Sequence, residues 1–315
     1  MLAVSLAIKL VIIMAVGFFA IKSNILQESF TAQLNTFVMK IALPAMIFNS
    51  ISSAPAFTAD TLSNCLIIMA ASAAVMFISL GIGELFYAKM GKSGMGRIIR
   101  YSLTFTNFSF MGIPIVDALF GEVGNLYYVF FMVAVRIFYY TLSQPLMTPP
   151  ELRPKKSSKA QMAKGIFLNP ALITVAIGMV FWISGLKLPD TIGYSIKQVG
   201  GLCSPLGLML CGMRLGCCDF KSLLKFRYIG IPMLRLVMMP ALFLVPIRML
   251  ANIGVDPLIC NIIMIYTALP IAALLPVYTM QYDPNEDNQL MAAGASAVSA
   301  MISTITIPLW CLLVL

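Results

Sequence analysis

The 315-residue chain is 60% hydrophobic, and only 10% of it is Asp, Glu, Lys or Arg, against roughly a quarter in an ordinary soluble domain. So few charges cannot cover a water-facing surface, which excludes a soluble enzyme and makes lipid the solvent. A mean hydropathy of +0.93 agrees, and the complete absence of histidine removes imidazole acid–base catalysis, His-ligated zinc and histidine haem ligation.

Apolar blocks long enough to cross a ~30 Å hydrocarbon core predict helices near 2–21, 30–53, 62–88, 97–121 and 124–147, then 163–185, 190–216, 226–250, 257–281 and 288–314. The first lacks a charged leader and carries Lys9, so it reads as a span and not as a cleavable signal. The polar stretch 148–162 reads as a short cytoplasmic loop between two halves, 1–147 and 163–315, of five helices each. Basic residues collect after the third helix (Lys89, Lys92, Arg97, Arg100), the fifth (Arg153, Lys155, Lys156, Lys159, Lys164) and the seventh (Lys221, Lys225, Arg227). By the positive-inside rule these loops are cytoplasmic and both termini lie outside. Asp283, Glu286 and Asp287 fall on the same predicted side, but acidic residues weigh little in that rule. The net charge of +9 is then a topology signal, and no nucleic-acid partner is expected. Seven scattered cysteines read as small buried hydrophobes, and no metal site or cofactor is expected.

The prolines recur in pairs. Leu43-Pro44-Ala45-Met46 in the second helix corresponds to Ser204-Pro205-Leu206-Gly207 in the seventh, and Gly112-Ile113-Pro114 in the fourth to Ala268-Leu269-Pro270 in the ninth. An odd number of helices per half forces the halves into opposite orientations, so the pattern predicts two inverted five-helix repeats with interrupted helices 4 and 9. Such breaks mark the midplane site of a secondary transporter.

A helix interrupted at mid-membrane frees N–H groups at the start of its second half, a positive dipole end that favours an anion. Pro114 and Pro270 each suit the first position of such a half-helix. Asn107 and Thr267 are candidate substrate contacts beside them, with Thr104, Thr106, Ser109 and Tyr266 as further polar neighbours; hydroxyls in membrane helices also often bond only the carbonyl one turn back. Two charges lie at depth, where they are costly and face a cavity or a partner. Arg136 is a candidate for recognising an organic anion and Asp117 for tuning it or carrying a coupling proton; the alternatives are a structural Asp117–Arg136 pair or an acid that caps a dipole. Arg214 and Arg235 read as boundary residues near the cytoplasmic face.

These motifs resemble the auxin efflux carrier family, which includes plant auxin carriers and bacterial members described as malonate transporters. The resemblance rests on Leu43-Pro44-Ala45-Met46-Ile47-Phe48, on Asn107-Phe108-Ser109-Phe110-Met111-Gly112-Ile113-Pro114 with Leu119-Phe120-Gly121, and on Asn169-Pro170-Ala171-Leu172-Ile173 with Gly185 and Leu188-Pro189. Pro205-Leu206 with Gly212 and Leu215, and Ala268-Leu269-Pro270, complete it. It implies a fold similar to bile acid:sodium symporters, with helices 4 and 9 crossed, helices 1, 2, 6 and 7 as scaffold and the rest as a moving substrate domain. It also implies an elevator-type carrier of small organic anions in the cytoplasmic membrane, often a homodimer. Asp117, Ile271 and Pro276 depart from the family pattern, and the 148–162 loop is too short for the regulatory role it has in long plant carriers. The competing readings are a sodium- or proton-coupled exchanger of the same architecture and, more remotely, an intramembrane lipid enzyme, for which no nucleophile with a base is visible.

Overall fold

The computed structural model describes residues 2–54, 58–149, 168–217 and 228–314. Most of the predicted 148–162 loop, the starts of the spans predicted at 163 and 226, and the basic residues from Arg153 to Lys164 and from Lys221 to Arg227 lie outside the described residues.

The described helices, in chain order, are α1 (Leu2–Lys22), α2 (Glu28–Ser52), α3 (Ala59–Lys89), α4 (Gly94–Thr104) and α5 (Phe108–Met147). There follow α6 (Pro170–Ser184), α7 (Asp190–Gly216), α8 (Gly230–Asn252), α9 (Pro257–Ala268), α10 (Leu275–Tyr282) and α11 (Glu286–Val314). Six of them, α2, α3, α5, α7, α8 and α11, are long and apolar enough to cross a membrane. The molecule is therefore an all-helical polytopic membrane protein. The predicted fourth span is divided between α4 and the start of α5, and the predicted ninth between α9 and α10. Within α5, Gly121 takes φ 58°, ψ −144° and turns the chain between the predicted fourth and fifth helices; only glycine adopts such a backbone without strain.

Local chemistry sets the helix starts. The side chains of Thr58, Ser93, Asn169 and Asp256 each accept a hydrogen bond from a first-turn N–H of α3, α4, α6 and α9. Three wider π-turns, Val38–Ala42, Phe108–Gly112 and Leu234–Met238, each end just before a proline: Pro44, Pro114 and Pro240. A proline removes one helical hydrogen bond and its ring crowds the carbonyl four residues back; the wider turn relieves that crowding. At Pro240 the carbonyl in question belongs to Leu236, and it accepts instead from the indole Nε1 of Trp310 on α11 at 2.8 Å.

Packing sorts the helices into two groups that both draw on each half of the chain. The first comprises α1, α2, α6 and α7. Its helices approach closely through glycine: a Cβ on Gly17 would lie 2.1 Å from the Met209 carbonyl oxygen, one on Gly212 1.8 Å from that of Met14, and one on Gly200 2.8 Å from the Met46 backbone. Phe48 of α2 also meets Phe181 of α6 edge to face. The second group comprises α3, α4, α5, α8, α9, α10 and α11, with α3 against α4 and α5, and α9 against α8 and α11.

Two arginines counted above as loop charges are internal to this second group. Arg97 Nη2 donates to Asp283 Oδ2 at 2.9 Å, with both side chains buried. Asp283 also accepts from the Asn288 side chain and the Asn285 N–H. Arg100 donates to Glu84 Oε1 at 2.9 Å and to the Leu146 carbonyl, and its guanidinium lies 4.0 Å over the Tyr87 ring. Asp283, the acid that ran against the positive-inside pattern, is thus the partner of a buried arginine.

Gly212→Ala should lower the thermal midpoint of the purified protein, since overpacking costs about 1–3 kcal/mol and the neighbouring atom is backbone. Gly81→Ala, inside α3 with nothing within 4 Å of its added Cβ, should not lower the midpoint in the same melt, since Ala favours a helix interior over Gly.

Candidate substrate site

The two interrupted helices meet at their breaks. Thr106 and Ile271 form an isolated antiparallel bridge: the Asn107 N–H donates to the Pro270 carbonyl at 2.8 Å, and the Ala272 N–H to the Phe105 carbonyl at 3.2 Å. The Ile271 N–H donates to Ser299 Oγ on α11 at 3.2 Å. Backbone that no helix can satisfy is thereby paired across the crossing, as it must be where no water reaches.

The break positions correct the sequence reading of the prolines. Pro114 follows the π-turn that opens α5, so the second half-helix starts at Phe108 and not at the proline. Pro270 lies within the break, where its carbonyl serves the crossing, and Pro276 occupies the first turn of α10 instead. Proline suits that turn because its missing N–H has no helical partner there.

Arg235, read from the sequence as a boundary residue, is fully buried at the crossing. Its Nε donates to the Leu269 carbonyl (3.0 Å), Nη1 to that of Leu103 (2.9 Å), and Nη2 to those of Tyr266 (3.2 Å) and Thr267 (3.1 Å). These carbonyls belong to the last turn of α4 and to the end of α9 and the start of its break. The π-turn Leu234–Met238 carries this arginine.

Beside the crossing lies a cavity of about 600 Å3. One wall is built by the first turns of both second half-helices, with Asn107 and Phe110 from α5 and Pro276 and Val277 from α10, together with Ala273 of the break. A second wall is α7, with Cys211 and Arg214. The polar stripe Glu28, Thr31, Asn35 and Thr36 of α2 and the small-residue stripe Ala293, Ser296, Ala297 and Ala300 of α11 complete it. Glu28, in the exposed first turn of α2, marks where the cavity reaches the surface.

Arg214, in the last turn of α7, is the one cation among the described lining residues, a cavity role that its reading as a boundary residue did not foresee. Its Nη1 donates to the Ala273 carbonyl at 3.1 Å and Nη2 to Asn35 Oδ1 at 3.3 Å, and the guanidinium sits 5.4 Å from the Phe110 ring centroid. Asn107, held by its own backbone in the crossing, directs its side-chain amide at Cys211 Sγ, 3.4 Å away.

Of the residues singled out from sequence, Asn107 lines this cavity. The Thr267 hydroxyl donates back to the Met264 carbonyl at 2.8 Å, the local bond open to any membrane-helix hydroxyl. Arg136 is buried with its guanidinium 5.5 Å from the Phe108 ring centroid and its Nη2 3.8 Å from Met132 Sδ. Asp117 makes no pair with Arg136: it accepts from Asn125 Nδ2 at 2.6 Å and from Ser204 Oγ on α7 at 3.2 Å. Of the described cysteines, Cys65, Cys203, Cys211, Cys260 and Cys311 are buried and Cys217 is exposed.

The α2 and α11 walls went unremarked in the sequence, although both carry a signal. Residues 28, 31, 32, 35 and 36, and 293, 296, 297 and 300, recur at three- and four-residue spacing, each marking one helical face.

A family model described as membrane transport protein matches residues 2–311. An uncharacterized transporter of Methanocaldococcus jannaschii is 25% identical over 322 residues, covering 98% of either chain.

Ser299→Ala should destabilise the protein by about 1–3 kcal/mol, because it strands the buried Ile271 N–H, and should do so without altering the apolar lining of the cavity. Thermal unfolding of the purified variant measures this directly.

Proposed function

The chain belongs to the membrane transport protein family, and from that premise we propose a secondary transporter that moves a small organic anion across the cytoplasmic membrane by an elevator-type exchange. The family is one of transporters; the substrate class, the mechanism and the orientation are our reading.

The observation that carries it is the chemistry of the cavity. Two helix N-termini, those of α5 and α10, and the guanidinium of Arg214 converge on one space. A helix N-terminus carries a partial positive charge, and Arg214 adds a full one that suits a carboxylate. The remaining surface offers Phe110, Leu210, Leu274 and Val277 to an apolar body, and Glu28 stands only at the mouth. An anion that enters exchanges water for oriented dipoles and a fixed cation.

The ten spans in two inverted five-helix repeats belong to the same proposal. Support comes from the paired prolines of the two halves and from the two breaks, α4 to α5 and α9 to α10, meeting in an antiparallel bridge. On this reading α1, α2, α6 and α7 form the scaffold, the second packing group slides along it, and the Arg214 mouth opens to the cytoplasm. Asp117, bonded to Ser204 across that boundary, is placed to report on the sliding step. A homodimer would have to form through surfaces other than this cavity.

The test is ligand-dependent stabilisation and Kd for a panel of carboxylates on purified protein, since a ligand of the folded state raises its midpoint. Arg214→Gln should weaken binding of the best carboxylate at least tenfold, because a bond to a charged group contributes about 1.5–3 kcal/mol, and Arg214→Lys should recover part of it. An unchanged Kd in Arg214→Gln would sink the anion reading.

A further inference from the structure

We propose that Arg235 is the resident cation of the crossing: its guanidinium does for the converging carbonyls what a bound alkali-metal ion would do, so the crossing assembles without one. The inference rests on the crossing alone and holds whatever the cavity carries.

α4 and α9 both end at the crossing, and each presents the negative pole of its dipole there, about half an elementary charge. Two such poles amount to roughly one negative charge among residues that are almost fully buried, Leu103, Tyr266, Thr267 and Leu269. The carbonyls of Leu103, Tyr266, Thr267 and Leu269, drawn from two separate segments, converge within 3.2 Å of one group. A cage of main-chain carbonyls is also the donor set that replaces the hydration shell of a desolvated alkali cation. Here that set is occupied by a side chain. Arg235 forms no salt bridge among the described residues; its hydrogen bonds described above all go to main-chain oxygens at the two helix poles. The Tyr266 hydroxyl, a titratable group on α9, hydrogen-bonds Met76 Sδ at 3.1 Å.

The guanidinium suits this place better than an ammonium would. Its donors lie in a rigid planar fork with charge that never dissociates, and it is less strongly hydrated than Lys. Three of its nitrogens reach three different stretches of main chain: the end of α4, the end of α9, and the break that follows α9. Arg235 is therefore a positioning residue that acts on the site through the crossing. It fixes the backbone from which Asn107 and Ala273 reach the cavity.

The experiment needs no substrate, so its failure is separable from failure of the anion reading. Wild-type protein melted in sodium, potassium or N-methylglucamine chloride at equal ionic strength should give midpoints that agree closely, and a selective rise with sodium would overturn the proposal. Arg235→Ala should melt roughly 10 °C lower, as expected when a buried charge is removed from its partners. Its midpoint should now become cation-dependent, with at least half of the loss restored by millimolar guanidinium or by sodium. The wild type should show no such gain. Rescue by neither ion overturns the proposal, because a merely structural side chain would leave a gap that no small cation refills. Should Arg235→Ala fail to fold, Arg235→Lys and Arg235→Met decide. The charged variant should keep most of the wild-type midpoint and the uncharged one of similar length should not; equal melting of the two would refute a role for the charge.

Discussion

Everything in this protein turns on a helix that stops inside the bundle and resumes a few residues later. Stopping leaves main-chain N–H and C=O groups with no helical partner and no water, and each such group costs several kcal/mol if left alone. The molecule does this twice and lets the two interruptions solve each other's problem. Asn107 and Ala272 exchange bonds with Pro270 and Phe105, Ser299 takes the Ile271 N–H, and Arg235 takes the carbonyls of both preceding half-helices. The first turns of the two following half-helices border the cavity. The site is thus built against the crossing.

The prolines fit the same economy of backbone groups. Pro114 and Pro240 each follow a π-turn that relieves the crowding they cause, and at Pro240 the displaced carbonyl finds Trp310. The π-turn before Pro240 is also the one that carries Arg235 into the crossing. A residue that weakens α8 therefore has a structural consequence five residues away, where the same local widening carries the cation.

How much of this was legible in the sequence depends on which physical quantity decides it. Helix positions follow from hydropathy and length, and the apolar blocks located both interrupted helices because Pro114 and Pro270 stand in matching places. The break itself lay several residues from Pro114, since a proline can sit inside a helix when a π-turn precedes it. The roles of the arginines were not legible. Depth along a helix can be counted, but the face on which a side chain leaves is fixed by packing. Arg136 and Arg235 look alike in a string of apolar residues, yet one lies against Phe108 and the other closes the crossing. That Arg214 lines the cavity was missed for the same reason. The α2 and α11 stripes needed only a helical projection, and their polar and small residues would have pointed to a lined face.

The distribution of charge supports the division into two packing groups on which the proposed sliding motion depends. Buried ionic and guanidinium contacts stay within one group: Arg97 with Asp283, Arg100 with the Leu146 carbonyl, Arg235 with α4 and α9. Breaking such contacts is strongly unfavourable once the partners are desolvated, so in the proposed motion elements joined in this way would stay together. Between the groups the contacts are weaker in kind. Lys197 and Glu122 pair in full exposure, where an ion pair contributes little. Asp117 takes a single hydroxyl from Ser204, and Asn107 reaches only a thiol. The exception is Arg214, which grips the Ala273 carbonyl of the break from α7, and it does so inside the cavity. On the proposed reading, an anion bound in the cavity would meet this link between the two packing groups, so the same guanidinium would bear on both occupancy and sliding.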